Sequence, residues 1–171
     1  NSAAVGRRKT WPVRSLSQAA YARASSLLMQ TAGCAPVWSK PEADRLLFSS
    51  RRQGSTHLYE TTLRGTGSDT LLFEDNLGKY ASSVSPDGGF LAYVGGGGII
   101  RRSDIWVLPL TGDRQAFPLM QTPFIESQPQ FSPDGQWLAY MTNESGRQEV
   151  YVRPFSRDGD KLQVSTAGGG W

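Results

Sequence analysis

In the second half of the chain, short apolar runs alternate with turn-forming residues, and the pattern reads as strands joined by tight connections. Gln130-Phe131 and Trp137 to Met141 flank the tetrapeptide Ser132-Pro133-Asp134-Gly135. In such a turn Pro presets φ at about −65°, Asp accepts a local backbone hydrogen bond, and Gly takes the left-handed conformation that re-enters the next strand. The two runs are therefore predicted to form an antiparallel hairpin. Asn143-Glu144-Ser145-Gly146-Arg147 predicts a second turn, Glu149 to Phe155 a third strand, Arg157-Asp158-Gly159-Asp160 a third turn, and Lys161 to Thr166 a fourth strand. One unit is thus a four-stranded antiparallel meander of about 45 residues. Its strand Trp137-Leu138-Ala139-Tyr140-Met141 is apolar at successive positions. A strand covered on one face alternates, so this one is expected to be covered on both.

The unit recurs. Ser85-Pro86-Asp87-Gly88-Gly89-Phe90-Leu91-Ala92-Tyr93 aligns with the segment from Ser132 to Tyr140 at an offset of 47 residues. A worn copy lies upstream at Trp38 to Phe48, with one extra residue and no Asp-Gly pair. A second signature follows each copy: His57 to Leu63, Asp104 to Leu110 and Glu149 to Phe155, at offsets of 47 and 45. Two signatures in one register over three copies predict an all-β fold, a partial β-propeller of about three four-stranded antiparallel blades, near residues 35–78, 79–122 and 123–167. The small Ala92 and Ala139, each between Leu and Tyr, let neighbouring blades approach.

Composition and charge adjust this picture only at one end. The 171 residues suffice for a core, and 11% aromatics with 19 glycines favour a turn-rich β fold. Residues 1–34 hold Arg7, Arg8, Lys9, Arg14 and Arg23 and no acid, whereas the remainder has 13 basic and 15 acidic residues. The basic excess therefore belongs to an atypical N-terminal segment, read as a diverged blade or a disordered arm. The single cysteine, Cys34, permits no internal disulfide. No run of 18 apolar residues occurs, and no apolar stretch of signal-peptide length follows the basic start. The chain opens with Asn, as a processed or truncated product would.

The repeat, a Ser-Pro-Asp-Gly turn followed by a Leu-Ala-Tyr strand and then a Tyr/Trp-Val strand, resembles the WD-repeat-like, TolB-type β-propeller repeats of bacteria over residues 35–171. More narrowly, Asp104 to Leu110 with Gly112-Asp113-Arg114 looks like the propellers attached to bacterial serine/threonine protein kinases. So does Asn143 to Phe155 continuing to Gln163-Val164-Ser165-Thr166. That resemblance implies a C-terminal sensory or interaction part of a larger protein, an extracytoplasmic setting, and a protein or peptide ligand, with a small ligand as the lesser alternative. Two other parents use similar repeats, a prolyl-oligopeptidase-type serine hydrolase and a TolB-like periplasmic scaffold. Closed propellers need roughly four to eight blades. Three leave two open edges, so the chain is expected to be a fragment or to close by self-association.

Catalytic constellations are not found in the sequence. His57 is the only histidine and opens a repeat strand where other copies hold Asp104 and Glu149. One Cys and one His cannot form a zinc set. Asp158-Gly159-Asp160 could offer two carboxylates to calcium but reads as a solvated turn. Gly95-Gly96-Gly97-Gly98 lacks a following Lys-Ser/Thr and reads as a flexible linker. Asp87 and Asp134 are repeat-equivalent turn residues. Trp38, Trp106, Trp137, Tyr140 and Tyr151 interleave with Arg51, Arg52, Arg101, Arg102 and Arg153, but the aromatics fall at repeat-equivalent strand positions and are expected in the core rather than on nucleic acid. No catalytic residue, cofactor or metal ligand is predicted.

Overall fold

The computed structural model describes residues 37–38, 45–62, 68–74, 77–96, 102–155 and 159–169. The N-terminal segment 1–34, Cys34, Arg101 and Asp158 lie outside the described residues. Twelve strands form three four-stranded sheets, and no helix occurs among the described residues. Blade 1 contains β1 (Val37–Trp38), β2 (Arg45–Gln53), β3 (Ser55–Thr62) and β4 (Thr70–Phe73). Blade 2 contains β5 (Gly78–Val84), β6 (Phe90–Gly96), β7 (Ser103–Pro109) and β8 (Phe117–Met120). Blade 3 contains β9 (Glu126–Phe131), β10 (Trp137–Thr142), β11 (Glu149–Pro154) and β12 (Leu162–Gln163). Each sheet is an antiparallel meander in chain order.

The two intact hairpins are built by the same bonds. Gly88 N–H donates to Ser85 O and Gly135 N–H to Ser132 O, both at 2.9 Å, with φ of 75° and 73° at the glycines. The serine hydroxyl works in two directions. Ser85 Oγ accepts from Phe90 N at 2.9 Å and donates to Asp87 Oδ1 at 2.5 Å; Ser132 Oγ does the same with Trp137 N at 3.0 Å and Asp134 Oδ1 at 2.5 Å. Asp87 and Asp134 in turn accept from Gly89 N and Gln136 N at 3.0 Å.

Blades stack through their first strands. β5 packs across β1, β2 and β3, and β9 across β5, β6 and β7. The two faces of blade 2 feed two cores. Leu91, Tyr93 and Leu108 join Leu47 and Leu58 of blade 1. Ala92, Ile105 and Met120 join Leu138, Tyr140 and Tyr151 of blade 3. Each fully buried Leu of this set is worth about 2 kcal/mol of apolar transfer. Serines stitch the seams: Ala81 N donates to Ser49 Oγ at 2.8 Å and Phe131 N to Ser83 Oγ at 3.1 Å.

Three details differ from the sequence expectation. Gly95 and Gly96 are not linker residues but the end of β6. A Cβ on Gly95 would lie 2.9 Å from Trp106 Cδ1, so the strand needs glycine to pass the indole. The fourth strand of blade 3 is Leu162–Gln163 rather than a run to Thr166, because Val164 N and Ser165 N both turn to Val150 O. Finally, β6 is buried at five successive positions, whereas β10 alternates, with Trp137 39% exposed. The double cover read from the sequence is realised in blade 2 and only on one side of blade 3.

Candidate functional site

The described groups singled out for chemistry lie on separate strands and turns, and the two turn aspartates are engaged within their own hairpins. His57 is buried in β3 opposite Ser50, and no nucleophile bonds to it among the described residues. The carboxyls of Asp87 and Asp134 are held below the usual range by the Ser85 and Ser132 hydroxyls, then by the backbone N–H of Gly89 and Gln136. Glu149 is buried and accepts from Arg147 Nε at 2.6 Å, from Gly168 N at 2.9 Å and from the Ser165 hydroxyl, which also accepts from Val150 N at 2.8 Å. The Ser165 bond is the main reason its carboxyl titrates below the ordinary value. Glu149 thereby fastens the segment after β12 onto β11, a role its position as a strand opener did not suggest.

Among the described residues, most of these aromatic and basic side chains are engaged within and between the blades. Tyr140 and Tyr151 stack at 6.0 Å inside the blade 2–blade 3 core, and Trp106 packs on the blade 1–blade 2 core. Trp38 lies in β1, paired with Leu46. Arg52 covers the Phe48 and Tyr59 rings at 5.3 and 4.5 Å and bonds Asp69 at 2.7 Å. Arg51 reaches Thr56 at 3.2 Å, and Arg153 crosses the seam to Leu119 O at 3.3 Å. No group of three His, Cys, Asp or Glu side chains that could hold a metal ion occurs among the described residues.

Two features escape a reading by motif. The first is the open face of blade 3. Trp137 faces Pro154 and Val152 faces Leu162 across strands, and Val164 N bonds Val150 O. Leu162 and Val164 are 61% and 63% exposed. Ala139, Val150 and Val152 on the same face are only partly buried, whereas their counterparts in blade 2, Ala92, Ile105 and Val107, are wholly buried. The second is a pair of ionisable residues at one register position on adjacent first strands, Lys79 opposite Gly95 and Glu126 opposite Thr142. Both side chains are buried. Lys79 donates to Leu77 O at 2.9 Å and sits 5.2 Å from the Phe73 ring centre. Glu126 accepts from the Thr122 hydroxyl, and its burial pushes the carboxyl above the ordinary range. The sequence signal was there, a charged residue five positions before the last residue of a first strand, but nothing in the repeat marked it as buried.

This fold is that of a β-propeller, in partial form. No protein-family model and no curated protein matches the sequence. Among solved structures, the chain is similar to a TolB from Acinetobacter baumannii, with 21% identity and a TM-score of 0.67 over 78% of this chain and 32% of that one. A protein assigned as TolB from Agrobacterium tumefaciens matches at 21% identity and a TM-score of 0.66 over 75% of this chain and 45% of that one. Prolyl oligopeptidase B from Galerina marginata matches at 16% and 0.59, covering 78% and 21%. The likeness is one of β-propeller fold, and the chain spans less than half the length of each of these proteins.

Proposed function

We propose that these blades are a non-catalytic interaction or sensory module, part of a larger bacterial propeller protein. The observation that carries the proposal is the open face of blade 3. It repeats the apolar pattern that blade 3 seals on blade 2, so this surface suits a protein partner or a further blade rather than a substrate. The blades extend over about residues 35–78, 79–122 and 123–167, with 1–34 as a separate basic segment. The parent is of the serine/threonine-kinase type with an extracytoplasmic propeller, a reading supported by the Asp104 to Arg114 and Asn143 to Thr166 patterns. The ligand is a protein or peptide.

A second reading is favoured by the match to prolyl oligopeptidase B: the blades belong to the propeller of a serine hydrolase. The test is the encoding gene together with a binding assay. An upstream kinase domain and peptide-array binding by the whole protein are expected. A downstream Gly-Xaa-Ser-Xaa-Gly domain, with active-site serine labelling by a fluorophosphonate, would transfer the chain to the second reading.

A further inference from the structure

The chain crosses from blade 2 into blade 3 between β8 and β9, and Glu126 is the first residue of β9. Its backbone O accepts from Ser103 Oγ of blade 2 at 2.7 Å. One carboxylate oxygen takes the Thr122 hydroxyl of the crossover, whose Oγ1 also accepts from Phe124 N at 3.1 Å. The other oxygen, Oε2, is buried without a hydrogen-bond partner. The cross-strand neighbour Thr142 and the next same-face residue Tyr140 are fully buried too, and their hydroxyls also lack partners. Neutral hydroxyls and one half-satisfied carboxyl thus share the side of blade 3 that packs on blade 2.

The charged groups around Glu126 come from three elements. Asp104 at the start of β7 and Glu144 in the β10–β11 turn raise its affinity for a proton, and Lys161, just before β12, lowers it. Lys161 is already paired with Glu144. An ionised Glu126 therefore adds a negative charge near Asp104 at a fully buried position, where both desolvation and Coulomb repulsion oppose it.

We propose that Glu126 is a proton-operated latch on the seam between blades 2 and 3. Protonated, it is a neutral acid that places no charge in the buried site, and the seam is tight. Ionised, it weakens the anchorage of the crossover and of β9. The folded chain holds this proton more tightly than the unfolded chain, so the stabilisation is full at acid pH. It is lost as the pH rises from the ordinary glutamate value through the raised one.

The test follows thermal unfolding of the whole chain by circular dichroism from about pH 4 to about pH 8, beside Glu126→Gln. The two proteins are expected to differ least at the acid end and to diverge above it. Near neutrality the wild type should melt about 3 °C or more below its acid-end offset from the variant. Parallel curves over the whole range overturn the latch. The carboxyl-carbon NMR titration of Glu126 in the wild-type chain gives a check that does not depend on the variant folding. Its midpoint should exceed that of exposed glutamates and fall in Asp104→Asn; a midpoint at or below the exposed ones overturns the proposal.

Discussion

The two Ser-Pro-Asp-Gly turns offer an internal control, because their hydrogen bonds match and their burial does not. Ser85 is 3% exposed, whereas Ser132 is half-buried and its turn faces solvent. The blade 3 turn itself supplies some of the cover: a Cβ at Gly135 would lie 3.2 Å from Pro86 Cδ. Ser85→Ala leaves Phe90 N without its acceptor in a place water cannot fully reach, and takes its shortest donor from Asp87, which is exposed. An unsatisfied group of this kind costs about 1–3 kcal/mol, so about 2 kcal/mol is expected. Ser132→Ala removes the equivalent bonds where water replaces them, and should cost about 0.5–1 kcal/mol. At about 2–4 °C per kcal/mol, the melting temperature should fall by about 6 °C for Ser85→Ala and about 2 °C for Ser132→Ala. The gap between wild type and Ser85→Ala should also narrow in acid. Asp87 is held low by the Ser85 hydroxyl, and the stability so gained exists above the ordinary aspartate value and is lost as the pH falls through the lowered one. Equal losses for the two variants, measured by circular dichroism under one set of conditions, would refute the reasoning from burial.

Glu149→Ala should free the segment after β12, so that hydrogen exchange at Val164 and Gly169 rises while β9 to β11 keep their protection. Gly135→Ala, at φ 73° and against Pro86, should destabilise by about 1–2 kcal/mol in denaturant titration, and a neutral result would show that the turn tolerates a Cβ. Leu138→Ala, fully buried in the seam, should cost about 2–5 kcal/mol. The open face predicts an asymmetry: Leu162→Glu should change stability by less than about 0.5 kcal/mol and reduce any self-association seen by light scattering, whereas Val107→Glu in blade 2 should unfold the chain.

The sequence alone determined the repeat, its four-stranded meander and the chemistry of its turns. Those rest on local rules, in which Pro, Asp and Gly fix a turn from their own backbone preferences and strands follow from the runs between turns. The same locality let the recurrence of Asp87 and Asp134 be read as turn residues rather than a carboxylate pair. The hydroxyl of Ser85 and Ser132 was visible as a letter but not as a bond, because its partner stands five residues away across the hairpin. Only the tertiary structure decided the rest. That β6 is sealed on both faces and β10 on one depends on which blade lies beside each, not on their nearly identical residues. The burial of Lys79 and Glu126 depends on how a first strand crosses the preceding blade. Glu149 became a clasp through contacts with Ser165 and Gly168, on a segment that returns to it only after a further strand has formed. Burial and electrostatics are properties of neighbours in space, and a repeat pattern names the neighbours in sequence alone.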